Sequence, residues 1–447
     1  MIILKSFLFF LSLIIPGFLM EKLFIKSREA FLLRLALAWV LGAALITTEL
    51  FIWFFIFKLS FNLFFFYSLL TVETALLLYL ALKNKLNFKL PAFKTSLCKI
   101  SLNKIIILIL ILIQIAFLSL NALARPPIAY DNLTMWQYKA KILFYEKQIN
   151  FDRSQFAYLG GGGHINYPWG APLLSFWLYA NLGEFNDLFS NLINIFYFIA
   201  ILFALYYFIK KYLSNIVSLF FVWLFSAMPL IFYHAYNGYA DLSLGLYLLL
   251  AFIFLFNWLE AQEKKWLLTA GLFFGCALFI KNDALIFTIA GLLIVLIKPL
   301  TDKKFMPALK SGGFYLLAVI LPLLPWLFIK IKYQLAFSNV EPGLAYHAEI
   351  WQNIYWALFL NNSFNVWWFI AIASLLINIT KIKKQNSLLL AWLFLIFCVS
   401  GLTILYLFTE EYQFAINGTA LSRNFLTLVP ISAALAAISF RPGPKKN

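Results

Sequence analysis

The chain has 447 residues, of which 64% are hydrophobic, 19% aromatic and only 12% charged, with a net charge of +17 and a mean hydropathy of +0.88. A soluble globular domain carries about 25% charged residues, so the composition excludes a soluble enzyme and describes a polytopic membrane protein. The basic residues stand in short clusters between apolar runs, which excludes a nucleic-acid groove and marks membrane topology instead. Cys98, Cys276 and Cys398 are far apart, against a disulfide framework or a cysteine metal site. The first apolar run, Ile2 to Met20, ends in Glu21-Lys22 and not in a small-residue cleavage site, so no cleavable signal peptide is expected.

Roughly 20 apolar residues are needed to span a bilayer. At that scale the chain predicts an all-α protein of about thirteen transmembrane helices, at 2–20, 35–57, 61–82, 105–123, 187–209, 213–233, 240–259, 266–281, 283–298, 313–331, 364–380, 387–408 and 423–440. The run 170–182 is too short to span and reads as an interfacial or re-entrant helix after Tyr167-Pro168. If the spans alternate, the connections on one side hold about 24 of the 35 Lys and Arg, and the positive-inside rule makes that side cytoplasmic. The loops 124–186, 332–363 and 409–422 and the connection 233–241 then share the extracytoplasmic side. Only the stretch 266–298 leaves an alternative, a single bent element around Lys281-Asn282-Asp283, and the basic clusters at 381–384 and 441–446 argue against it.

The loop 124–186 is a long polar interruption that cannot lie in hydrocarbon. It opens Arg125-Pro126-Pro127, carries Tyr130-Asp131-Asn132, and continues through 133–147, where Leu133, Trp136, Ala140, Leu143 and Phe144 recur at helical spacing with Lys139, Lys141 and Lys147 on the remaining surface. That pattern predicts an interfacial helix with Trp and Lys at the headgroup level; a plain surface helix fits it equally. Asp131 stands before this helix as an N-cap or as a functional acid. Asp241, in Tyr239-Ala240-Asp241, has the same two readings, and Lys281-Asn282-Asp283 is either a hairpin turn or a polar site. Gly160 to Gly163 with His164 is neither a P-loop nor a spaced metal motif.

Taken in order, Tyr130-Asp131, Trp136 with Lys139-Ala140-Lys141, Tyr167-Pro168 with Pro172-Leu173, Tyr239-Ala240-Asp241 and Lys281-Asn282-Asp283 resemble the GT-C superfamily of integral-membrane glycosyltransferases. The likeness is to the bacterial protein O-mannosyltransferase and aminoarabinose transferase branch and covers 105–300. It implies a catalytic module there, preceded by three extra helices in 1–104 and followed by C-terminal helices in 301–447. It further implies a bacterial inner-membrane enzyme with an extracytoplasmic site, a sugar donor on polyprenyl phosphate, inverting transfer, and a lipid, glycan or protein acceptor. Asp131 matches the first-loop acid that acts as general base, Asp241 the acid that places the acceptor or, in some members, a divalent metal, and Lys281 the position that approaches the donor phosphate. Asp283 stands where Glu is frequent, and Asn132 where a second acid is frequent, which weakens the case for a divalent ion. No cofactor is otherwise implied.

The chemistry agrees: a base near the acceptor hydroxyl and a cationic cradle for the departing phosphate suffice, whereas a glycosidase needs two carboxylates flanking the bond. Lys281, Lys139 and Arg423 are the cradle candidates, with Tyr130, Trp136, Tyr167, Tyr239, Asn282 and Asp283 around them. Polar groups and aromatics in 332–363 and 409–422 suit acceptor recognition or a membrane belt. A polysaccharide ligase or polymerase using a lipid-diphosphate donor would carry a larger late loop with Arg or His. A lipid or sugar transporter would show internal repeats and midplane charges, and neither is visible.

Overall fold

The computed structural model describes residues 2–25, 31–86, 101–161, 164–301, 303–338, 340 and 343–442. Cys98, Gly162-Gly163, Glu341-Pro342 and Pro444 to Asn447 lie outside the described residues. Apolar runs of this length can satisfy their backbone in hydrocarbon only as helices, and the described residues are helical with two isolated bridges, Asn150 with Tyr158 and Leu344 with Thr409.

Nine helices among the described residues are long and apolar enough to cross a membrane: Ile2–Ile25, Phe31–Ile56, Leu63–Lys83, Leu102–Ala124, Asp187–Lys210, Asp241–Ala261, Ala284–Thr301, Phe305–Tyr333 and Asn386–Phe408. The four other expected spans are also helical but shorter or broken. Residues 213–233 form Asn215–Ser226 and Pro229–Tyr236, bent by 69°, because Pro229 has no N–H to continue the first helix and starts a new one. The run 266–281 is the 17-residue helix Lys264–Ile280, 364–380 is Trp367–Ile377 followed by Ile379–Lys383, and 423–440 breaks before Pro430 into Leu421–Leu426 and Val429–Ile438. Lys264–Ile280 and Ala284–Thr301 are two separate helices joined at Lys281-Asn282-Asp283, not one bent element.

The helix Asp241–Ala261 is buried along nearly its whole length, at the centre of the bundle. Leu63–Lys83 and Leu102–Ala124 expose most of theirs at the periphery, as helices facing lipid do. The first two helices cross with almost no separation: a Cβ on Gly17 would meet the carbonyl of Ala38 at 1.9 Å, and one on Gly42 that of Leu13 at 2.0 Å. Small residues at such crossings replace the hydrophobic drive that a bilayer cannot supply.

The short helix Gly170–Leu182 is buried in protein, not laid on the interface. Its partners are the N-terminal helices. Lys5 donates to the carbonyl of Leu182 at 2.6 Å, Trp177 to Ser12 Oγ at 2.9 Å, and Tyr67 to Asn181. The 133–147 segment likewise differs from an interfacial helix. It forms a π-helical turn, Asn132–Trp136, and a helix, Gln137–Glu146, and Trp136 and Lys139 are buried among loop residues. The Gln137 side chain donates to Ser190 on the spanning helix Asp187–Lys210, so this segment caps the bundle.

Candidate active site

Four segments that the sequence places in separate loops meet at one end of the bundle. Arg423, on the short helix Leu421–Leu426, donates from Nη2 to Asp131 Oδ2 at 2.5 Å and from Nε to Asp241 Oδ2 at 3.4 Å. Asp241 opens its helix, and its other oxygen accepts from Lys281 Nζ at 2.9 Å. Lys281 also donates to Asp283 at 2.7 Å and to Asn424 Oδ1 at 3.1 Å. An ammonium has three donors, so Lys281 is saturated. Arg423 spends three of its five N–H groups, on Asp131, Asp241 and the carbonyl of Thr419, and two remain. Exposure rises along this chain of charges, from 1% for the Asp241 side chain and 6% for Lys281 to 13% for Arg423 and 23% for Asp131.

Neither acid is a helix cap. Asp131 makes no side-chain capping bond, and the Asp241 carboxylate is taken up by Lys281, Arg423 and His234 Nδ1, the last at 3.4 Å. Tyr239 packs below Arg423, its ring 4.3 Å from the guanidinium carbon, and stacks on His234 at 4.4 Å between centroids. Tyr167 meets Trp136 edge to face at 5.8 Å, and burial, with Asp283 nearby, pushes its hydroxyl pKa up. Tyr130 does not join them; it is 70% exposed.

Lys139 is not on the surface. It is fully buried, donates to the carbonyl of Tyr167 at 3.0 Å and lies 5.1 Å from the Trp169 ring centroid. Burial, assisted by the charge of Lys330, lowers its pKa to about 7. The same turn is gripped from the other side. The Asn166 carbonyl accepts from Lys330 Nζ and from Asn282 Nδ2, each at 3.2 Å, and the Asn166 side chain accepts from Ala336 N at 2.9 Å and donates to the Ser338 carbonyl at 3.3 Å. Asn282 therefore ties the first loop to residues 335–338, while its neighbours Lys281 and Asp283 face the ion pairs.

Asn132 is buried and donates to the Asn237 carbonyl at 3.0 Å. Gly238, at φ +73, lies so close that a Cβ there would meet Asn132 Nδ2 at 2.0 Å. This contact fixes Asp131 relative to the Asp241 segment. No sequence motif points to His234, Asn166 or Asn424, whose amide donates to the Tyr406 hydroxyl at 2.8 Å. Asn424 directly follows Arg423, and His234 is one of only three histidines; those were the available signals.

The residues do not fit a divalent ion. The Arg423 guanidinium bridges Asp131 and Asp241, and among the described residues no group of three or more His, Cys, Asp or Glu is placed to hold a metal.

Residues 171–326 match the sequence profile of the dolichyl-phosphate-mannose-protein mannosyltransferases. The fold is similar to the crystal structure of ArnT from Cupriavidus metallidurans bound to undecaprenyl phosphate, with a TM-score of 0.52 and 12% sequence identity over 76% of this chain and 60% of that one. The resemblance to the GT-C superfamily holds. The chain spans about 60% of the length of that GT-C structure, and no curated protein matches it.

Proposed function

We propose that this protein is an inverting glycosyltransferase that moves a sugar from a polyprenyl-phosphate carrier to an acceptor hydroxyl on the extracytoplasmic side, with Asp131 as general base. The convergence of Asp131, Asp241, Lys281 and Arg423 within a GT-C fold is the observation that carries this reading. Asp131 is the most exposed member of the network and takes the acceptor proton as the hydroxyl oxygen attacks the anomeric carbon. The bond from that carbon to the phosphate oxygen breaks, and the lipid phosphate leaves with the electron pair. Arg423, with two unused N–H donors, meets the leaving phosphate. Lys281 holds Asp241, which in turn orients Arg423, and Lys139 supports Tyr167 beside the reacting groups.

The test separates an acid that acts as base from one that only pairs with Arg423. Asp131→Asn keeps size and shape and still accepts a hydrogen bond, but it cannot take the proton. In reconstituted vesicles supplied with a synthetic polyprenyl-phosphate sugar, transfer falls by at least about a hundredfold while the melting temperature stays close to the parent's. A folded Asp131→Asn protein that transfers at the parental rate would falsify the assignment.

A further inference from the structure

We propose that a cavity beside the catalytic network binds the acceptor, and that this acceptor is a membrane lipid with an uncharged, hydroxyl-bearing headgroup. The inference rests on the transfer reaction above and names its second substrate. The cavity, of about 660 Å³, lies between the residues that follow the helix Phe305–Tyr333 and the end of Asn386–Phe408, lined by Phe337, Leu344, Leu405, Thr409, Glu410 and Glu411 among others. That volume suits a ligand of several rings or a headgroup with part of its chain.

Three observations select the occupant. The cavity sits at the ends of two spanning helices, and its rim is apolar and open: Leu344 is 88% exposed, and Phe408, whose carbonyl accepts from Ala345 N, is exposed as well. In a spanning protein such surface faces lipid, so the site is reached sideways from the bilayer and suits a lipid better than a water-borne chain.

The charged side chains that line it are both carboxylates. Glu410 lies against Gly343, where a Cβ would approach Glu410 Oε1 to 2.5 Å, and accepts from Gln413 Nε2 at 3.3 Å, and Glu411 accepts from Ser338. Two carboxylates on the wall favour hydrogen bonds from sugar or glycerol hydroxyls over a phosphate.

The inner wall adjoins the Lys281-Asn282-Asp283 segment. The carbonyl of Phe337 accepts from Asn282 Nδ2 at 2.7 Å, and Glu411 is within electrostatic reach of Asp283 and Lys281. A headgroup in the cavity therefore lies next to the segment that carries the charged groups.

The experiment uses the full chain in lipid nanodiscs and a decyl glucoside carrying a diazirine on its alkyl chain, with adducts mapped by mass spectrometry. Adducts on 336–338, 343–344 and 405–411 are expected, competed by plain decyl glucoside and not by decyl phosphate. Leu344→Trp, which fills the mouth, and Glu411→Arg, which inverts the charge, each lower the competable adduct at least about tenfold, with gel-filtration profiles checking that both fold. Competition by decyl phosphate assigns the cavity to the donor and overturns the proposal, as does an unchanged adduct in both variants. Because the readout is binding alone, a protein that takes up the glucoside here yet transfers no sugar overturns the proposed reaction and not this site.

Discussion

Arg423 does what no single lysine can, because its planar fork reaches Asp131 and Asp241 at once. Arg423→Lys keeps the charge and loses one of the two contacts. Transfer is expected to drop by about two to three orders of magnitude, the scale of a lost transition-state donor, with less change in the apparent affinity for donor than in turnover; equal turnover for the two proteins would show that the fork is not needed. Lys139 gives a pH test. Its pKa in the fold, about 7, is below the roughly 10.4 of an unfolded lysine, so the fold disfavours its charge, fully below pH 7 and progressively less as pH rises to the unfolded value. Lys139→Met removes that penalty, and its melting temperature relative to the parent should improve as pH falls from 10 to 6. A difference independent of pH would place the titration elsewhere. The Asp, Lys and Arg residues are the legible part of this site, because a full charge in an apolar sequence has to be explained. Asn166, Asn424 and His234 are not, since a neutral polar residue carries no sign of the distant carboxamide, lysine or carboxylate that it pairs with.

Among elements, unbroken apolar runs were legible from length alone, and the breaks were not, because hydropathy is averaged over a window and does not register a 69° bend. Pro229 and Pro430 were the cues that periodicity passed over. The 133–147 segment was misplaced for a related reason: its pattern gives one apolar face but does not say whether protein or lipid covers the other. The N-terminal helices, which the sequence left without a role, clasp Gly170–Leu182 through Lys5, Ser12 and Tyr67, and that short helix follows directly on the Tyr167 turn. Their own crossing depends on Gly17 and Gly42. Gly17→Leu must push the two helices apart, since backbone and not a flexible side chain stands in the way. The expected result is a lower melting temperature together with weakened transfer, although residue 17 is remote from Asp131 in the chain. A variant with parental stability would mean that the crossing is not tight.

For the whole molecule, polar loops and basic connections separate to opposite ends. Asp131, Asp241, Lys281 and Arg423 gather at one, while Lys211, Glu260, Lys381 and Arg441 form contacts at the other. With Cys98 replaced by Ser and the remaining cysteines, Cys276 and Cys398, buried, single cysteines at the exposed positions Tyr130 and Thr419 should react with an impermeant maleimide on intact cells. One at Lys384 should react only after permeabilisation. Labelling at 130 but not at 419 would mean an odd number of crossings between them.

The bond from Arg423 to Asp131 joins residues 292 positions apart, which has a bearing on biosynthesis. Between the synthesis of Asp241 and that of Arg423 both carboxylates are present in the growing chain while the guanidinium that bridges them has yet to be made. A nascent chain stopped just before residue 423 thus has Lys281 beside Asp241 but carries Asp131 without its counter-charge at the rim of an otherwise apolar bundle, a surface that a membrane quality-control protease can distinguish from the finished protein.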